Sequence, residues 1–213
     1  MTLTKIVIIM GFERSQAILA ILISLLIIPG CTAPSKIVEN EILDTGVIVP
    51  ERLNLIASTP GRDYDRTEVF DILADANGEN TLILWVSTGC PGCHDWTEMI
   101  ADSMRSGNIS NDTRIISVHR FPAFESPEYV IETYASENSS TNSLWPVLIP
   151  SGEQPAIDVA NGELTDYEYW QAFGNPSAPS FTILDGGGFT IWENKNYWAN
   201  HTVFNEALEI LNS

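Results

Sequence analysis

The sequence predicts an α/β domain in which strands and helices alternate. Residues 82–86 form a continuous apolar run, which is typical of a strand covered on both faces. Apolar side chains then recur at helical spacing between residues 96 and 104. Two β-prone segments, 180–185 and 189–192, flank three glycines and predict a hairpin. This order of elements indicates one sheet with helices packed against it.

The first 31 residues have the pattern of an export signal. Lys5 and Arg14 precede a weakly polar to apolar stretch at 15–28, which is shorter than the roughly 20 residues of a membrane-spanning helix. The stretch ends in Ile-Pro-Gly-Cys, and Cys31 therefore resembles the lipidated cysteine of a lipoprotein. An uncleaved N-terminal membrane anchor is the alternative. Both predict an extracytoplasmic, membrane-anchored protein.

The remainder is strongly acidic and divides into a linker and a domain. The formal net charge of −18 gives a surface that repels nucleic-acid phosphates, so no nucleic-acid partner is expected. Residues 32–60 are polar with scattered proline and glycine, which predicts a linker with at most an edge strand. Residues 61–213 then form the folded domain. The whole chain has three cysteines, which are too few for a disulfide-stapled scaffold, so apolar packing must supply the core.

Each remaining element follows from local spacing. Apolar residues at helical spacing over 69–76 predict the first helix, which Asn77 and Gly78 close as a C-cap. β-Branched and apolar residues mark further strands, and an apolar face with Phe204, Leu208 and Leu211 marks the last helix. After the 82–86 strand, the predicted order is a helix carrying Cys93, a strand at 114–121, a helix at 127–136, a short strand at 145–150, a polar stretch to 168, the hairpin, and a helix at 203–211.

Cys90 and Cys93 lie two residues apart at the junction between the apolar strand and the following helix. A thiolate at a helix N-terminus is favoured by free backbone N–H groups and by the helix dipole. We therefore expect Cys90 to be the nucleophile and Cys93 to resolve the mixed disulfide. Pro91 suits a first helical turn, and Gly92 lets a partner backbone approach closely. His94 would stabilise the Cys90 thiolate as a cation, unless it is simply a surface histidine.

The order of elements around Cys90-Pro-Gly-Cys93 resembles the thioredoxin fold, with a central mixed sheet flanked by helices, from about residue 67 to 212. Ala178-Pro179 precedes the 180–185 strand, where that family places a cis-proline. Residues 173–188 are especially similar to membrane-anchored proteins of the TlpA and ResA type. The resemblance implies a redox-active disulfide between Cys90 and Cys93, and a substrate-binding edge at Ala178 and Pro179. It also implies protein thiols or disulfides as substrates, an upstream redox partner, and no cofactor.

The sequence departs from the thioredoxin pattern close to the pair. Gly89 precedes the first cysteine where thioredoxins usually have tryptophan, and the order Pro-Gly replaces Gly-Pro. Leu84 occupies the strand position that carries a buried acid in many thioredoxins, so an obvious proton acceptor for Cys93 is missing. Asp95 and Glu98 on the following helix are the candidate substitutes. The direction of electron transfer therefore stays open.

Three alternatives use the same residues. Cys-x-x-Cys-His is also the attachment signature of c-type haem, with His94 as proximal ligand, although here it follows a buried strand. Cu(I) binding would add His119 or His201 to the two thiolates, although thioredoxin-like copper proteins space their cysteines by three residues. A non-catalytic binding module is the third alternative, against which the intact pair argues. We predict an extracytoplasmic, membrane-tethered thiol-disulfide oxidoreductase without a metal site.

Overall fold

The computed structural model of the protein describes residues 49–213. The predicted export segment at 1–31, including Cys31, lies outside the described residues, as does most of the predicted linker. Within the described range, no helix combines the length and the apolar character that crossing a membrane requires.

The described elements are short strands and helices arranged mainly around one sheet. In chain order they are β1 (Leu53–Asn54), β2 (Ile56–Ser58), β3 (Val69–Asp71), α1 (Ile72–Ala76), β4 (Thr81–Val86), α2 (Pro91–Arg105), β5 (Ile115–His119), α3 (Pro127–Val130) continuing as a π-helix (Ile131–Ala135), β6 (Val147–Leu148), β7 (Pro155–Asp158), β8 (Glu163–Glu168), α4 (Tyr169–Ala172), β9 (Ser180–Leu184), β10 (Thr190–Asn194) and α5 (His201–Leu211).

The central sheet has five strands in the order β10-β9-β4-β5-β6. β4 runs parallel to β5, and β5 runs parallel to β6, whereas β9 is antiparallel to both β4 and β10. The predicted α/β architecture with a mixed sheet is therefore confirmed. Two smaller sheets, β1-β7-β8 and β2-β3, accompany it.

β4 is apolar throughout because both faces of the central sheet are covered. Leu82, Leu84 and Val86 belong to the core that includes side chains of α2 and α5. Ile83 and Trp85 belong to a second core, on the opposite side of the strand, with side chains of β1 and α4. All six residues of β4 are buried, so the strand shows no polar alternation. The same sheet positions Cys90, which follows β4 by four residues.

The helix predicted over 69–76 is shorter than the apolar spacing indicates. Val69–Asp71 instead form β3, which pairs with β2. Asp71 ends the strand and caps α1, because its side chain accepts hydrogen bonds from the backbone nitrogens of Leu73 and Ala74. The predicted C-cap is present, since Asn77 adopts the left-handed conformation.

The folded domain begins before residue 61, the boundary predicted from composition. Residues 53–58, within the predicted linker, form β1 and β2. Leu53, Leu55 and Ala57 are buried, and β1 pairs with β7. These alternating residues bury one face of a short segment. The polar residues around the segment hide this pattern in the sequence.

The polar stretch predicted up to residue 168 contains a hairpin, β7 and β8. Only Ala156 among the residues of these two strands is fully buried, and most of the others are partly or fully exposed. Strands that face solvent need no apolar alternation, so the sequence gives them no signal.

Candidate redox site

Cys90 and Cys93 are joined by a disulfide at the N-terminus of α2, and their Cα atoms are 5.2 Å apart. Cys90 is the N-cap residue, and its Sγ accepts a hydrogen bond of 3.1 Å from the backbone nitrogen of Cys93. Cys90 is 7% exposed, whereas Cys93 is fully buried at 0%. An incoming thiol or disulfide therefore reaches Cys90 first. The predicted helix is confirmed, with Pro91 as its first residue.

The pair belongs to an apolar cluster that includes Leu84 and Trp96. Leu84 is completely buried, so β4 offers no carboxylate to accept a proton from Cys93. The two candidate substitutes on α2 have other surroundings. Asp95 accepts a hydrogen bond of 2.8 Å from the backbone nitrogen of Ala199, and Glu98 is exposed. The structure thus gives neither of them an evident role as proton acceptor.

Gly92 is in close contact with the segment between β10 and α5. A Cβ at this position would overlap the backbone carbonyl of Tyr197. The segment is also fixed by a hydrogen bond of 2.9 Å from the indole nitrogen of Trp96 to the carbonyl of Asn196. The backbone that approaches Gly92 is therefore the protein's own. This segment leaves Tyr197 and Trp198 43% and 59% exposed beside the first turn of α2.

The Ala178–Pro179 peptide bond is cis, as the resemblance implied. It directly precedes β9, in which Ser180 pairs with Trp85 near the end of β4. The loop with the cis bond therefore lies at the end of the sheet where β4 finishes and the chain continues to Cys90 and Cys93. Ala178 packs against the apolar cluster that contains both cysteines.

Arg120 holds the loop that contains the cis bond. Its guanidinium donates hydrogen bonds to the carbonyl of Pro176 at 2.7 Å and to the side chain of Asn175 at 2.6 Å. The guanidinium also lies over the rings of Phe121 and Trp170, 4.7 and 4.5 Å from their centres. Arg120 is mostly buried and directly follows β5, so it joins the end of that strand to the loop.

A carboxylate binds the turn that leads into Cys90. We call Ser87, Thr88 and Gly89 the 87–89 loop. Glu125 accepts hydrogen bonds from the Ser87 hydroxyl at 2.6 Å, from the Thr88 nitrogen at 2.9 Å, and more weakly from the Gly89 nitrogen at 3.4 Å. A fourth hydrogen bond of 2.9 Å comes from Nε2 of His119. One side chain thus fixes all three residues that precede Cys90.

The carbonyl groups of the 87–89 loop are bound from other elements. The hydroxyl of Tyr134, in the π-helix, donates to the carbonyl of Ser87 at 2.7 Å. Nε2 of His94 lies 2.9 Å from the carbonyl of Thr88 and donates to it. The rings of His94 and Tyr134 meet edge to face, with centres 5.8 Å apart. The loop before Cys90 is therefore held on both sides.

Hydrogen bonding makes Glu125 strongly acidic. Burial raises the pKa of this carboxyl, but hydrogen bonds from Ser87, Thr88 and His119 outweigh burial and lower the pKa to about 2. Burial lowers the pKa of His119, and the hydrogen bond to Glu125 and its charge only partly oppose this. At neutral pH the pair is therefore a carboxylate and a neutral imidazole. Burial also raises the pKa of Tyr134, which stays a hydroxyl.

No protein-family model matches the sequence, and no curated protein matches it. Solved structures do match. A thiol:disulfide interchange protein of the thioredoxin family from Chlorobium tepidum TLS shares 10% identity and a TM-score of 0.50, over 78% of this chain and 99% of that one. A hypothetical protein from Sinorhizobium meliloti 1021 shares 13% identity and a TM-score of 0.51, over 78% and 84%. This chain has the thioredoxin fold. The thioredoxin domain of a thiol-disulfide oxidoreductase from Bacteroides vulgatus is also similar, with 13% identity and a TM-score of 0.48, over 78% and 97%.

The thioredoxin fold brings together most of the residues that the sequence singled out. Cys90, Cys93 and His94 share the start of α2, and Ala178 contacts the cluster that contains the pair. Pro179 completes the cis bond. The ring of His94 binds the carbonyl of Thr88, so its predicted effect on the Cys90 thiolate stays a prediction.

The residues that support the pair were not predicted. Glu125, Arg120 and Tyr197 act across long stretches of chain, and Glu125 is 38 residues from Ser87. The one available signal was position, because Arg120 lies near the end of the strand predicted at 114–121 and Glu125 follows that strand, which was predicted to lie in the same sheet as the strand before Cys90. Side chains at the ends of neighbouring parallel strands share one edge of a sheet.

The described residues offer few candidate ligands for the metal-binding alternatives. Between residues 49 and 213, no group of three or more His, Cys, Asp or Glu side chains is arranged to hold a metal ion. His119, one candidate copper ligand, is buried and uses Nε2 on Glu125. His201, the other, is the exposed first residue of α5.

Proposed function

We propose that this protein is an extracytoplasmic, membrane-tethered thiol-disulfide oxidoreductase that exchanges disulfides with other proteins. One observation carries the proposal. Cys90 and Cys93 form a disulfide at a helix N-terminus on the thioredoxin fold, and the first sulfur is the more accessible one. A pair that can hold and release two electrons at an exposed turn is suited to this exchange.

The geometry assigns the two sulfurs different steps. When the pair is reduced, the Cys90 thiolate attacks one sulfur of a substrate disulfide, and the other substrate sulfur leaves as a thiolate that takes up a proton. The sulfur of the buried Cys93 then attacks the Cys90 sulfur and gives up its proton, which the second substrate thiolate takes up as it is released. Two electrons pass to the substrate, and the Cys90–Cys93 disulfide remains. The reverse sequence oxidises a substrate dithiol.

The start of α2 supports the attack by Cys90. Its Sγ accepts a hydrogen bond from the Cys93 nitrogen, and the helix dipole points its positive end at the same sulfur. Both effects favour a thiolate over a thiol. Cys93 is completely buried, so it meets a substrate sulfur only through Cys90.

The loop with the cis bond is the proposed substrate edge. Backbone groups of Ala178 and Pro179 would pair with an extended segment of substrate on either side of its cysteine. Arg120 supports this role because it fixes the preceding residues, Asn175 and Pro176. A fixed edge loses little conformational entropy when a substrate binds.

The membrane tether rests on the export pattern at 1–31, with lipidation of Cys31 or an uncleaved anchor as its chemical form. An upstream redox partner follows from stoichiometry. Each turnover leaves the Cys90–Cys93 pair in the opposite redox state, so a second thiol or disulfide must restore it before the next substrate.

The test is a redox titration of the full-length protein against glutathione, with the Cys90–Cys93 disulfide followed by mass spectrometry. We expect one two-electron transition, reduction of insulin by the wild type, and no activity in Cys90→Ser. Cys93→Ser should accumulate mixed disulfides through Cys90. Cys31→Ser is the matched control, because it replaces the remaining cysteine of the chain, which lies outside the described residues, and should leave the exchange unchanged. Full activity of Cys90→Ser, or a Soret band in the purified protein, would overturn the proposal.

A further inference from the structure

We propose that Glu125 is a positioning residue whose negative charge biases the Cys90–Cys93 pair towards its disulfide, which favours use of the pair as an electron donor to its substrates. This inference rests on the proposed function and bears on the direction that the sequence left open. It makes Glu125 act through Cys90 rather than on the substrate.

The first step is the place of the carboxylate. Glu125 binds the hydroxyl and backbone nitrogens of the 87–89 loop, the last of which belongs to the residue next to Cys90. The side chain is largely buried, with 16% of its surface exposed, so solvent screens its charge only partly. The backbone of Cys90 is thus fixed beside a permanent negative charge.

The second step is the absence of a compensating cation in the described part of the chain. The basic side chain that contacts Glu125 there is His119, which donates a hydrogen bond through Nε2. Nδ1 of His119 is buried without a hydrogen-bond partner among the described residues, so a proton on that atom would be unsatisfied. The imidazole therefore stays neutral, and the carboxylate keeps its full charge.

The third step is the effect on the sulfur. Reduction of the pair creates a thiolate at Cys90, and the charge of Glu125 opposes that thiolate, whereas a disulfide carries no charge. The reaction is the transfer of two electrons from the Cys90–Cys93 dithiol to glutathione disulfide, which yields the protein disulfide and two glutathione thiols. Destabilising the thiolate in the reduced form drives this reaction forward, because oxidising pairs are those with a stabilised reduced form.

Other titratable groups surround the same loop. His119 contacts Glu125 from β5, His94 binds the Thr88 carbonyl from α2, and Tyr134 binds the Ser87 carbonyl from the π-helix. Arg120, the nearest guanidinium along the chain, is engaged with the loop of the cis bond. A comparison of variants that differ only at Glu125 keeps these groups constant.

The experiment uses the reduced full-length protein and measures the pH dependence of alkylation of Cys90 by iodoacetamide, read on the Cys90 peptide by mass spectrometry. In Glu125→Gln we expect the midpoint to move to lower pH by about half a unit or more. In glutathione buffer the equilibrium should shift about threefold towards the reduced pair. Glu128→Gln is the matched control, since it removes the same charge from an exposed residue three positions away and should change neither value.

A second variant covers the case in which Glu125→Gln does not fold. The new amide oxygen can still accept from the Thr88 nitrogen and from Nε2 of His119, but the amide nitrogen would then replace the oxygen that accepts from Ser87 and Gly89. Glu125→Gln combined with His119→Gln frees the amide from the imidazole, so that its oxygen can turn towards Ser87 and Gly89. His119→Gln alone is its reference. Glu125→Gln is compared with the wild type, and the double variant with His119→Gln. An alkylation midpoint equal to that of its reference protein, or at higher pH, would overturn the inference. If the wild type exchanges no disulfide with glutathione, the proposed function fails instead.

Discussion

The backbone carbonyl of Tyr197 lies directly against Gly92, in the space that a Cβ at position 92 would occupy. The dipeptide between the two cysteines is therefore part of a packed interface with the segment before α5. Asp95, one turn further along α2, binds the nitrogen of Ala199 in the same segment. The first turn of α2 is thus packed against residues about a hundred positions away in the sequence.

Gly92→Ala should destabilise the protein by about 1–3 kcal/mol, because the methyl group forces the Tyr197 backbone away from α2. Denaturant unfolding of the oxidised protein measures this loss. Gly89→Ala is the control, since nothing lies within 4 Å of a Cβ there, and it should change stability by less than about 0.5 kcal/mol. Equal unfolding midpoints for the two variants would contradict the described contact.

Arg120→Met should lower stability by about 2 kcal/mol, because it leaves the Pro176 carbonyl and the Asn175 side chain without their charged partner. Its more specific effect concerns catalysis. Reduction of insulin should slow more than reduction of dithiobis(nitrobenzoate), which offers no peptide backbone to the Ala178–Pro179 edge. Arg105→Met, which loses a surface ion pair with Asp102, should leave both rates unchanged. Equal slowing of both reactions would contradict a role in substrate binding.

Acid should weaken the fold through Glu125. Its pKa in the folded protein is about 2, below the ordinary value of 4.5, so its contribution is complete above pH 4.5 and is lost as the pH falls towards 2. The loss is at most about 3 kcal/mol. Thermal unfolding between pH 6 and pH 2 measures it, and Glu125→Gln should flatten the curve below pH 4.5. A curve for that variant parallel to the wild type would be evidence against the network.

Burial of His119 adds a separate pH dependence. Because its pKa is lowered in the folded protein, the unfolded chain binds more protons once the pH falls below 6.5, and stability declines from there. His119→Gln should remove the loss of stability just below pH 6.5. The separate loss of stability below pH 4.5, which comes from Glu125, should remain. The unfolding temperatures of both proteins at pH 7.5 and pH 5.5 provide the measurement.

Removal of residues 1–60 should cost about 4 kcal/mol or more, because β1, β2 and the buried Leu53 and Leu55 disappear with them. A chain that starts at residue 49 retains these strands and is the reference for their loss, with the denaturant concentration at half-unfolding as the measurement. If the two truncated proteins were equally stable, residues 53–58 would not belong to the core.

The sequence predicted what local patterns can encode. The buried β4, the helix that begins at Pro91 and the hairpin of β9 and β10 each have a period or a turn signal within a few residues. The cis bond at Pro179 came from the resemblance. By contrast, β7 and β8 are largely exposed to solvent and have no apolar pattern. The alternating Leu53, Leu55 and Ala57 are too short a pattern to stand out from the polar residues around them.

The supporting residues of the site lay beyond such reasoning for a different reason. A carboxylate such as Glu125 has no special spacing, and its partners are fixed only when β4 and β5 pair side by side. The burial that shifts the pKa of His119 likewise arises from tertiary packing. The sequence identified the cysteine pair, whereas the residues that surround it could be recognised only in the assembled sheet.

The contact between Gly92 and Tyr197 also bears on when the site matures during synthesis. Residue 197 lies 105 positions after Gly92 in the sequence. During synthesis both cysteines are therefore made long before the Tyr197 backbone that packs between them. The surroundings that the pair has in the folded protein are complete only after the segment between β10 and α5 has been added.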